Sequence, residues 1–257
     1  MDTTKKIIAF DLDGTLTKSK SRVDADIVFW IRRLLKKYKV AIITGGTFAQ
    51  IQNQFISELG NMTLEDKEQL RYLYLLPTSG ASLYEHESYF WKKVYNKDIS
   101  PEEAAIIYTA FYKAIAATNT YFPEIYGNHI ENRITQITFS ALGQKAPIEL
   151  KKEWDPDFSK RQKIISEMKN DPLVAQFEIR FGGTTSIDVT HKGIDKSFGI
   201  SKLMEYLLVD KEDILFIGDA LQKGGNDFPV KEMGVECISV SGPQDTLKII
   251  KKLYMSS

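Results

Sequence analysis

The sequence predicts an α/β fold, a doubly wound parallel sheet interrupted by an inserted α+β cap domain. Short runs that are apolar throughout occur near both ends of the chain, and several of them stop at aspartate, threonine or glycine. Helical segments with one apolar face alternate with these runs, whereas the middle of the chain has a different order of elements. Because fully apolar runs suit parallel strands that helices cover on both faces, the two ends of the chain predict one sheet.

Length and composition exclude several classes of protein. An apolar content of 43% over 257 residues is enough to form a sizeable core, in one large domain or two modest ones. Lys and Arg together count 34, as do Asp and Glu, so the chain has no overall field that would attract nucleic acid or anionic lipid. The single cysteine excludes an internal disulfide, and no apolar run approaches the roughly 20 residues that span a bilayer. We therefore expect a cytoplasmic protein with neither nucleic acid nor a membrane as a partner.

The N-terminal part of the chain predicts a βαβ unit. Residues 7–10 and 40–43 are short apolar runs, typical of buried strands. Between them, residues 24–38 carry apolar side chains at the spacing of an amphipathic helix. Residues 48–59 predict a second helix, and residues 73–76 predict a third buried strand.

The C-terminal part continues the same alternation after a long interval. Residues 197–208 predict a helix, and residues 214–217 and 236–240 predict strands. We therefore assign residues 1–85 and 189–257 to the sheet domain and residues 86–188 to the cap. Within the cap the expected elements are a helix at 101–118, a strand at 133–140, a helix at 157–170, and strands at 177–181 and 185–189.

The first candidate site residues follow the first predicted strand. In an open α/β sheet, ligands bind at the carboxyl ends of the strands. Asp11 and Asp13 stand at that position, and Gly14 allows the chain to turn sharply beside them. A carboxylate such as Asp11 can attack phosphorus as a nucleophile, and Asp13 can then serve as acid and base. The pair therefore predicts phosphoryl transfer.

Two further strand or helix ends offer groups that bind phosphate. The Thr44 hydroxyl follows the second strand, and Gly45 and Gly46 bring backbone N–H groups close to an anion. Thr47 is an alternative to Thr44 for this role. Lys196 stands at the start of the helix that resumes the sheet domain, where its ammonium can neutralise a phosphate and nearby carboxylates.

A late acidic cluster predicts a metal site. Asp219 follows the strand at 214–217, and Asn226 and Asp227 follow shortly after it. Mg²⁺ binds oxygen ligands in an octahedron and commonly takes one or two carboxylates. We expect Asp11, the backbone carbonyl of Asp13, and Asp219 to bind Mg²⁺, with Asn226 and Asp227 completing the site. Without a cation, repulsion between the clustered carboxylates would raise their pKa values and destabilise the fold.

In this order the motifs resemble those of the haloacid dehalogenase superfamily, in its class IIB of capped phosphatases and phosphomutases. The most similar pattern is that of the eukaryotic-type phosphomannomutases, which share the first motif at residues 11–17. The spacing from Asp219 to Asp227 through Gly224, Gly225 and Asn226 is similar to the last motif of that family. The resemblance implies a Rossmann-like core with a cap, Mg²⁺ as cofactor and a phosphorylated sugar as substrate.

The resemblance also implies substrate contacts. Lys20 falls where the phosphomannomutases place an arginine that contacts the substrate, and Arg133 falls on a cap arginine. Ser186 and Asp188 resemble a serine and an aspartate that contact the sugar or its phosphate. The sequence departs from the family at Gln144, where the mutases carry an arginine that binds phosphate.

Two functions are compatible with an aspartyl phosphate on Asp11. If Asp13 activates water, the enzyme is a phosphatase; if a sugar hydroxyl accepts the phosphoryl group, it is a mutase. A mutase must hold a bisphosphate by both ends, and Gln144 lacks the charge of the arginine that it replaces. The sequence therefore predicts a Mg²⁺-dependent phosphatase of a phosphorylated sugar, with a phosphomannomutase-like hexose phosphate mutase as the alternative. A homodimer formed through the cap is a further expectation.

Overall fold

The computed structural model describes residues 5–18, 20–60 and 62–256. Its contacts divide the chain into two compact units. One unit, which we call the core, runs up to Asn96 and resumes at Ile194. The other unit, the cap, is Lys97–Gly193.

The strands of both units coincide with most of the apolar runs in the sequence. In chain order they are β1 (Ile7–Asp11), β2 (Lys39–Ile43), β3 (Leu73–Leu76), β4 (Ser82–Glu87), β5 (Phe90–Asn96), β6 (Ile130–Asn132), β7 (Ile137–Ser140), β8 (Phe177–Phe181), β9 (Ser186–His191), β10 (Ile214–Gly218) and β11 (Glu236–Ser239). The core strands have the order β11-β10-β1-β2-β3-β4-β5. The first five strands in this order, from β11 through β10, β1 and β2 to β3, are parallel to one another. This confirms the predicted doubly wound core.

The helices are α1 (Ala25–Leu34), α2 (Phe48–Gln54), α3 (Leu64–Gln69), α4 (Pro101–Thr118), α5 (Ile148–Trp154), α6 (Ser159–Lys169), α7 (Lys196–Leu207), α8 (Phe228–Glu232) and α9 (Pro243–Met255). In the described part of the chain, a side chain caps the N-terminus of α1, α2, α3, α4 and α7, whereas the other helices begin without such a hydrogen bond. The Asp195 side chain accepts hydrogen bonds from the backbone N–H groups of Ser197 and Phe198, so α7 begins at Lys196. In the described ranges, no helix has both the length and the apolar character that crossing a membrane requires.

Helices cover both faces of the core sheet, which explains why its strands are apolar throughout. Along β1, Ile8 and Phe10 pack into one hydrophobic cluster with side chains from α1, α2 and α9. Ile7 and Ala9 pack into a second cluster with side chains from α7 and α8. Because successive residues of a strand point to opposite faces, each face needs its own apolar partners.

The cap boundaries differ from the predicted range of 86–188. Strands β4 and β5 form a hairpin that pairs antiparallel with β3, so they belong to the core sheet. The hairpin side chains are mostly half-buried or exposed, and the sequence therefore lacks the continuous apolar run that identified the other core strands. At the second boundary, β9 continues to His191.

The cap is an antiparallel sheet with helices on one face, as predicted. Its strand order is β6-β7-β9-β8, and α4 and α6 pack on the face that carries Ile137, Phe139, Ile187 and Val189. Of the strand predicted at 133–140, only Ile137–Ser140 is a strand, because Ile134 adopts a positive φ of 72° in the turn between β6 and β7. Helix α5 was not predicted by the sequence.

Candidate active site

The parallel strands bring the predicted acids to one edge of the core sheet. Phe10 of β1 pairs with Ile42 of β2 and with Ile217 of β10. Asp11, Thr44 and Asp219 each follow these neighbouring positions by one or two residues. Because parallel strands end at the same edge, the three side chains start from adjacent points of the sheet.

Lys196 connects two of the acids. Its side chain is only 1% exposed, and its Nζ donates hydrogen bonds to Asp11 Oδ1 and, at 2.5 Å, to Asp227 Oδ1. Asp11 and Asp227 are themselves buried. An ammonium shared between two buried carboxylates compensates part of the cost of removing them from water. Lys196 therefore lies between the two carboxylates, and its predicted roles in neutralising a phosphate and in catalysis stay predictions.

Asp227 also organises the loop that carries Asp219. Asp227 Oδ2 accepts a hydrogen bond from the backbone N–H of Ala220 at 3.0 Å. With Lys196 on its other oxygen, both Asp227 oxygens have donors within the protein. Asp219 is less buried, and the Thr15 hydroxyl donates to its Oδ1 at 3.5 Å. Asp227 therefore fixes the loop, whereas Asp219 keeps capacity to bind a ligand.

The donor set fits a hard divalent cation. Asp11, Asp219 and Asp227 each present a carboxylate oxygen, and the three atoms lie within 4.8 Å of one another. Asp11 Oδ2 is buried and has no hydrogen-bond partner. A side chain at Gly14, whose φ is +92°, would collide with the Asp219 carboxylate. Mg²⁺ binds oxygen ligands of this kind. The buried Asp11 oxygen without a donor and the space that Gly14 leaves beside Asp219 fit such a site.

The electrostatics of the cluster follow from burial. Burial raises the pKa of Asp11 to about 6, although the Lys196 ammonium acts in the opposite direction. Burial, followed by the Asp227 carboxylate, raises the pKa of Asp219 as well. For Lys196, burial acts to lower the pKa, but the carboxylates of Asp11 and Asp227 outweigh it and the pKa is raised. At neutral pH Lys196 is therefore a cation, and Asp11 is ionised but easily protonated by mild acid.

We expect Mg²⁺ to stabilise the protein in a pH-dependent way. At a Mg²⁺ concentration of 100 Kd and pH 7.5, binding to the folded state adds about 2.7 kcal/mol to the free energy of unfolding. Below the raised Asp11 pKa of about 6, Mg²⁺ must displace a proton, so the stabilisation shrinks as the pH falls. Thermal unfolding with and without Mg²⁺ at pH 7.5 and pH 5 measures the effect. The variant Asp219→Asn serves as the control and should lose the Mg²⁺-dependent increase; an equal increase at both pH values would contradict the assignment.

The Asp13 carboxylate lies outside the acidic cluster and is held by amides. Gln50 Nε2 donates to Asp13 Oδ2 at 2.9 Å, and Gln54 Nε2 donates to Asp13 Oδ1 at 3.0 Å. The backbone N–H of Lys20 also donates to Oδ1, at 2.6 Å. These donors orient the Asp13 carboxylate, and its predicted roles in proton transfer and, through its backbone carbonyl, in metal binding stay predictions. Sequence reasoning missed Gln50 and Gln54, although their spacing of four residues puts them on one face of α2.

The glycine turn after β2 distinguishes Thr44 from Thr47. Thr44 is buried, and its hydroxyl accepts a hydrogen bond from the Gly46 backbone N–H at 3.1 Å. Thr47 instead caps α2, because its hydroxyl accepts from the backbone N–H of Gln50 at 3.2 Å. Thr47 thus has a structural role, and Thr44 stands at the strand end. Phosphate binding by Thr44, Gly45 and Gly46 stays a prediction.

Two predicted residues lie at the surface of the core. The Lys20 side chain is exposed, on a residue with φ of +58°. Asn226 is exposed next to the buried Asp227. Their predicted contacts, with substrate and with metal respectively, stay predictions.

In the cap, the structure brings Arg133 and Gln144 together. Arg133 Nε forms an ion pair with Glu131 at 2.7 Å, and its Nη2 donates to Gln144 Oε1 at 3.4 Å. Gln144 Nε2 is buried and has no hydrogen-bond partner. Gln144 therefore accepts from an arginine through its oxygen and keeps an unused amide donor.

Ser186 and Asp188 lie on the polar face of the cap sheet. They alternate along β9 with the buried Ile187, and Asp188 Oδ1 accepts from the Thr138 hydroxyl at 2.7 Å. The structure also reveals Arg161, which is 1% exposed and paired with the buried Asp155 at 2.7 Å. Arg161 Nη1 donates to the Ser186 backbone carbonyl at 3.2 Å, so it positions this strand. No sequence motif marked Arg161, although Asp155 lies only six residues before it, because a local pattern does not predict that both side chains are buried.

The chain is similar to known proteins over most of its length, and not only at the residues of the site. The profile of the family described as eukaryotic phosphomannomutase matches residues 27–256. Phosphomannomutase 1 of Mus musculus is 25% identical over 252 residues, which cover 95% of this chain and 90% of that protein. The phosphomannomutase of Encephalitozoon cuniculi (strain GB-M1) is 27% identical over 256 residues, which cover 95% of this chain and 91% of that protein.

The fold is also similar to that of a solved enzyme. A haloacid dehalogenase-like hydrolase from Bacteroides thetaiotaomicron superposes with a TM-score of 0.66 at 17% sequence identity, over 97% of this chain and 99% of that chain. This likeness confirms the core with an inserted cap. The family match includes residues of the core and of the cap alike. The chain therefore belongs to the eukaryotic phosphomannomutase family.

Proposed function

We propose that this protein is a hexose phosphate mutase that transfers a phosphoryl group between two oxygens of a sugar through an aspartyl phosphate on Asp11. The observation that carries the proposal is the family match over residues 27–256, because it spans both the core and the cap. Relatives that cover 95% of this chain are named phosphomannomutases. The match favours the mutase alternative over the phosphatase that the sequence predicts, and it makes a mannose phosphate the first substrate to test.

The core residues supply the groups for phosphoryl transfer. Asp11 is the nucleophile, since one of its oxygens is fixed by Lys196 and the other has no donor. Asp13 gives a proton to the sugar oxygen that leaves phosphorus and takes one from the hydroxyl that attacks it. The Asp11, Asp219 and Asp227 oxygens would hold Mg²⁺, which when bound supplies positive charge to the phosphoryl oxygens. Lys196 adds charge that is already in place before the reaction starts.

The remaining predicted residues would bind the substrate. Thr44 and the backbone N–H groups of the following glycines are our candidates for the phosphoryl oxygens. Lys20, Arg133, Ser186 and Asp188 are our candidates for contacts with the sugar or its second phosphate, as the family resemblance implies. Replacing any of these residues is expected to raise KM more than it lowers kcat, because they bind rather than react.

A panel of hexose phosphates tests the proposal. The 1-phosphates and 6-phosphates of mannose and glucose are incubated with the protein and Mg²⁺, with and without a hexose 1,6-bisphosphate. We expect interconversion of the two monophosphates that depends on the bisphosphate. Release of inorganic phosphate from monophosphates, with no interconversion, would contradict the mutase and support the phosphatase.

The phosphatase stays a second candidate because of Gln144. At the position where the resemblance places a phosphate-binding arginine, Gln144 offers a neutral amide whose Nε2 has no partner. An arginine can bind a phosphate with two charged hydrogen bonds, which an amide cannot. A mutase with glutamine at this position must retain its bisphosphate by other cap cations, and Arg133 is our candidate because its Nη2 donates to the Gln144 side chain.

We expect the variant Gln144→Arg to bind hexose 1,6-bisphosphate about tenfold more tightly, since a charged hydrogen bond contributes about 1.5–3 kcal/mol. Isothermal titration calorimetry in the presence of Mg²⁺ measures the affinity. The control is Gln162→Arg on α6, because Gln162 is exposed. Gln136→Arg would be unsuitable, because Gln136 is buried. An unchanged affinity in Gln144→Arg would show that residue 144 does not contact the bisphosphate.

A further inference from the structure

Both oxygens of the Asp13 carboxylate already accept hydrogen bonds from the protein. Oδ1 accepts from the Lys20 backbone N–H and from Gln54 Nε2, at 2.6 and 3.0 Å. Oδ2 accepts from Gln50 Nε2 at 2.9 Å. Three of the roughly four acceptor sites of the carboxylate are therefore used, and a water molecule that is to lose a proton to Oδ2 must share that oxygen with the Gln50 amide. The acid–base group is thus partly blocked in the resting protein.

The two glutamines differ in how firmly they are held. Gln54 is 4% exposed, and its Nε2 also donates to the backbone carbonyl of Ser21 at 2.9 Å. Gln50 is half-buried, and within the described ranges the only hydrogen bond of its side chain is the one to Asp13. Oδ1 is therefore held by a backbone N–H and by the buried Gln54, whereas Oδ2 loses its protein donor when the Gln50 side chain turns away.

The Gln50 amide rests against the glycine turn after β2. A Cβ atom at Gly46 would collide with the Gln50 amide in its present position, so the amide lies directly against this turn. The backbone N–H of Gly46 is in turn bonded to the Thr44 hydroxyl. The amide that covers Asp13 Oδ2 thus lies at the turn that we assign to phosphate binding. A substrate that occupies this turn meets Gln50 directly.

We propose that Gln50 is a positioning residue that protects the aspartyl phosphate from water by occupying Asp13 Oδ2. The proposal rests on the mutase function, in which the intermediate must survive until a sugar hydroxyl attacks. In hydrolysis, the oxygen of water forms a bond to phosphorus, the bond from phosphorus to the Asp11 oxygen breaks, and a proton of the water passes to Asp13 Oδ2. The products are inorganic phosphate and the free Asp11 carboxylate.

Sugar and water differ in their ability to displace the amide. A sugar hydroxyl belongs to a molecule that is held by its phosphate and its other hydroxyls, so binding energy from those groups can offset the loss of the Gln50 hydrogen bond. The hydroxyl oxygen then attacks phosphorus and its proton passes to the same Asp13 Oδ2. A water molecule has no such additional contacts. Gln50 therefore selects the acceptor of the phosphoryl group.

Release of labelled phosphate from the phosphorylated protein tests the proposal. The protein is phosphorylated with ³²P-labelled glucose 1,6-bisphosphate, freed of sugar, and followed by quenched flow at a fixed pH of 7.5 with Mg²⁺. We expect Gln50→Met, which keeps the length of the side chain but has no donor, to release phosphate about tenfold faster, as loss of one hydrogen bond to a charged group predicts. Gln50→Lys restores a donor and should return to the wild-type rate.

Two further variants separate this role from a structural one. Gln52→Met makes the same substitution at an exposed position of α2 and should release phosphate at the wild-type rate. Gln54→Met removes the buried donor to Oδ1 and should slow isomerisation and phosphate release together, because Asp13 is then misplaced. Thermal unfolding of each variant confirms that it folds.

Unchanged or slower release in Gln50→Met, or release as fast in Gln50→Lys as in Gln50→Met, would overturn the role of Gln50. Isomerisation of a hexose monophosphate by the wild-type protein is measured in parallel. If the wild type isomerises but Gln50→Met releases phosphate at the same rate, only the role of Gln50 is rejected. If the wild type releases phosphate and does not isomerise, the proposed mutase function is rejected instead.

Discussion

The variant Asp11→Asn is expected to lose at least about 10³-fold in turnover and to keep its fold. An amide oxygen is a poor nucleophile and cannot form the aspartyl phosphate, so both isomerisation and phosphate release should disappear. Lys196 can still donate to the asparagine oxygen, which preserves the hydrogen bond that the wild-type carboxylate accepts. Initial rates with a hexose phosphate and Mg²⁺, compared with the wild type, measure the loss.

The same variant tests the electrostatics of the site. The pKa of Asp11 is about 6 in the folded protein and 3.8 ordinarily, so the folded state holds the proton more tightly than the unfolded state between these values. Ionisation of Asp11 therefore lowers the stability of the metal-free wild type as the pH rises from about 4 to 6. Asp11→Asn lacks this loss, and above pH 6 without Mg²⁺ it should be at least as stable as the wild type.

A surface substitution provides the control for Asp11→Asn. Asp26→Asn changes an exposed aspartate in the first turn of α1 and should alter neither turnover nor the pH dependence of unfolding. Turnover by Asp11→Asn within about tenfold of the wild type would reject Asp11 as the nucleophile. A stability difference between the wild type and Asp11→Asn that does not change between pH 4 and 6 would reject the raised pKa of Asp11.

Replacing Lys196 by methionine should cause the largest loss of stability, about 3–5 kcal/mol at pH 7.5 without Mg²⁺. Methionine fills a similar volume but leaves the carboxylates of Asp11 and Asp227 buried beside each other with no cation. The loss should become smaller at pH 5, because protonation of a carboxylate removes the repulsion in the folded state. Urea unfolding at the two pH values measures the difference.

The control for Lys196→Met is Lys202→Met on the same helix. Lys202 is partly exposed and pairs with the exposed Glu205 one turn away, so its removal should cost no more than about 1 kcal/mol. A loss in Lys196→Met equal to that in Lys202→Met would mean that the buried ion pairs do not stabilise the fold. A loss that is identical at pH 7.5 and pH 5 would mean that packing, rather than charge, is responsible.

The sequence by itself determined the parallel core and its acidic residues. Strands at residues 7–11, 39–43 and 214–218 were predictable because each is a short run apolar on both faces. Once these strands are parallel, Asp11 and Asp219 must emerge at one edge of the sheet, whatever the details of packing. The local sequence also predicted the helix at Pro101–Thr118. The two residues of its N-terminal capping box are only three positions apart in the sequence.

Only the tertiary structure decided which polar groups meet. Lys196 and Asp11 are 185 residues apart, and Gln54 reaches Asp13 across 41 residues. Such contacts form only when the helices pack on the sheet at positions that are accurate to within the length of one hydrogen bond. The local periodicity of the sequence does not determine these positions. The β4–β5 hairpin escaped prediction because it lacks a continuous apolar run, and it joins the core sheet by pairing with β3. Arg161 lies only six residues from Asp155, but no local pattern predicts that both side chains are buried.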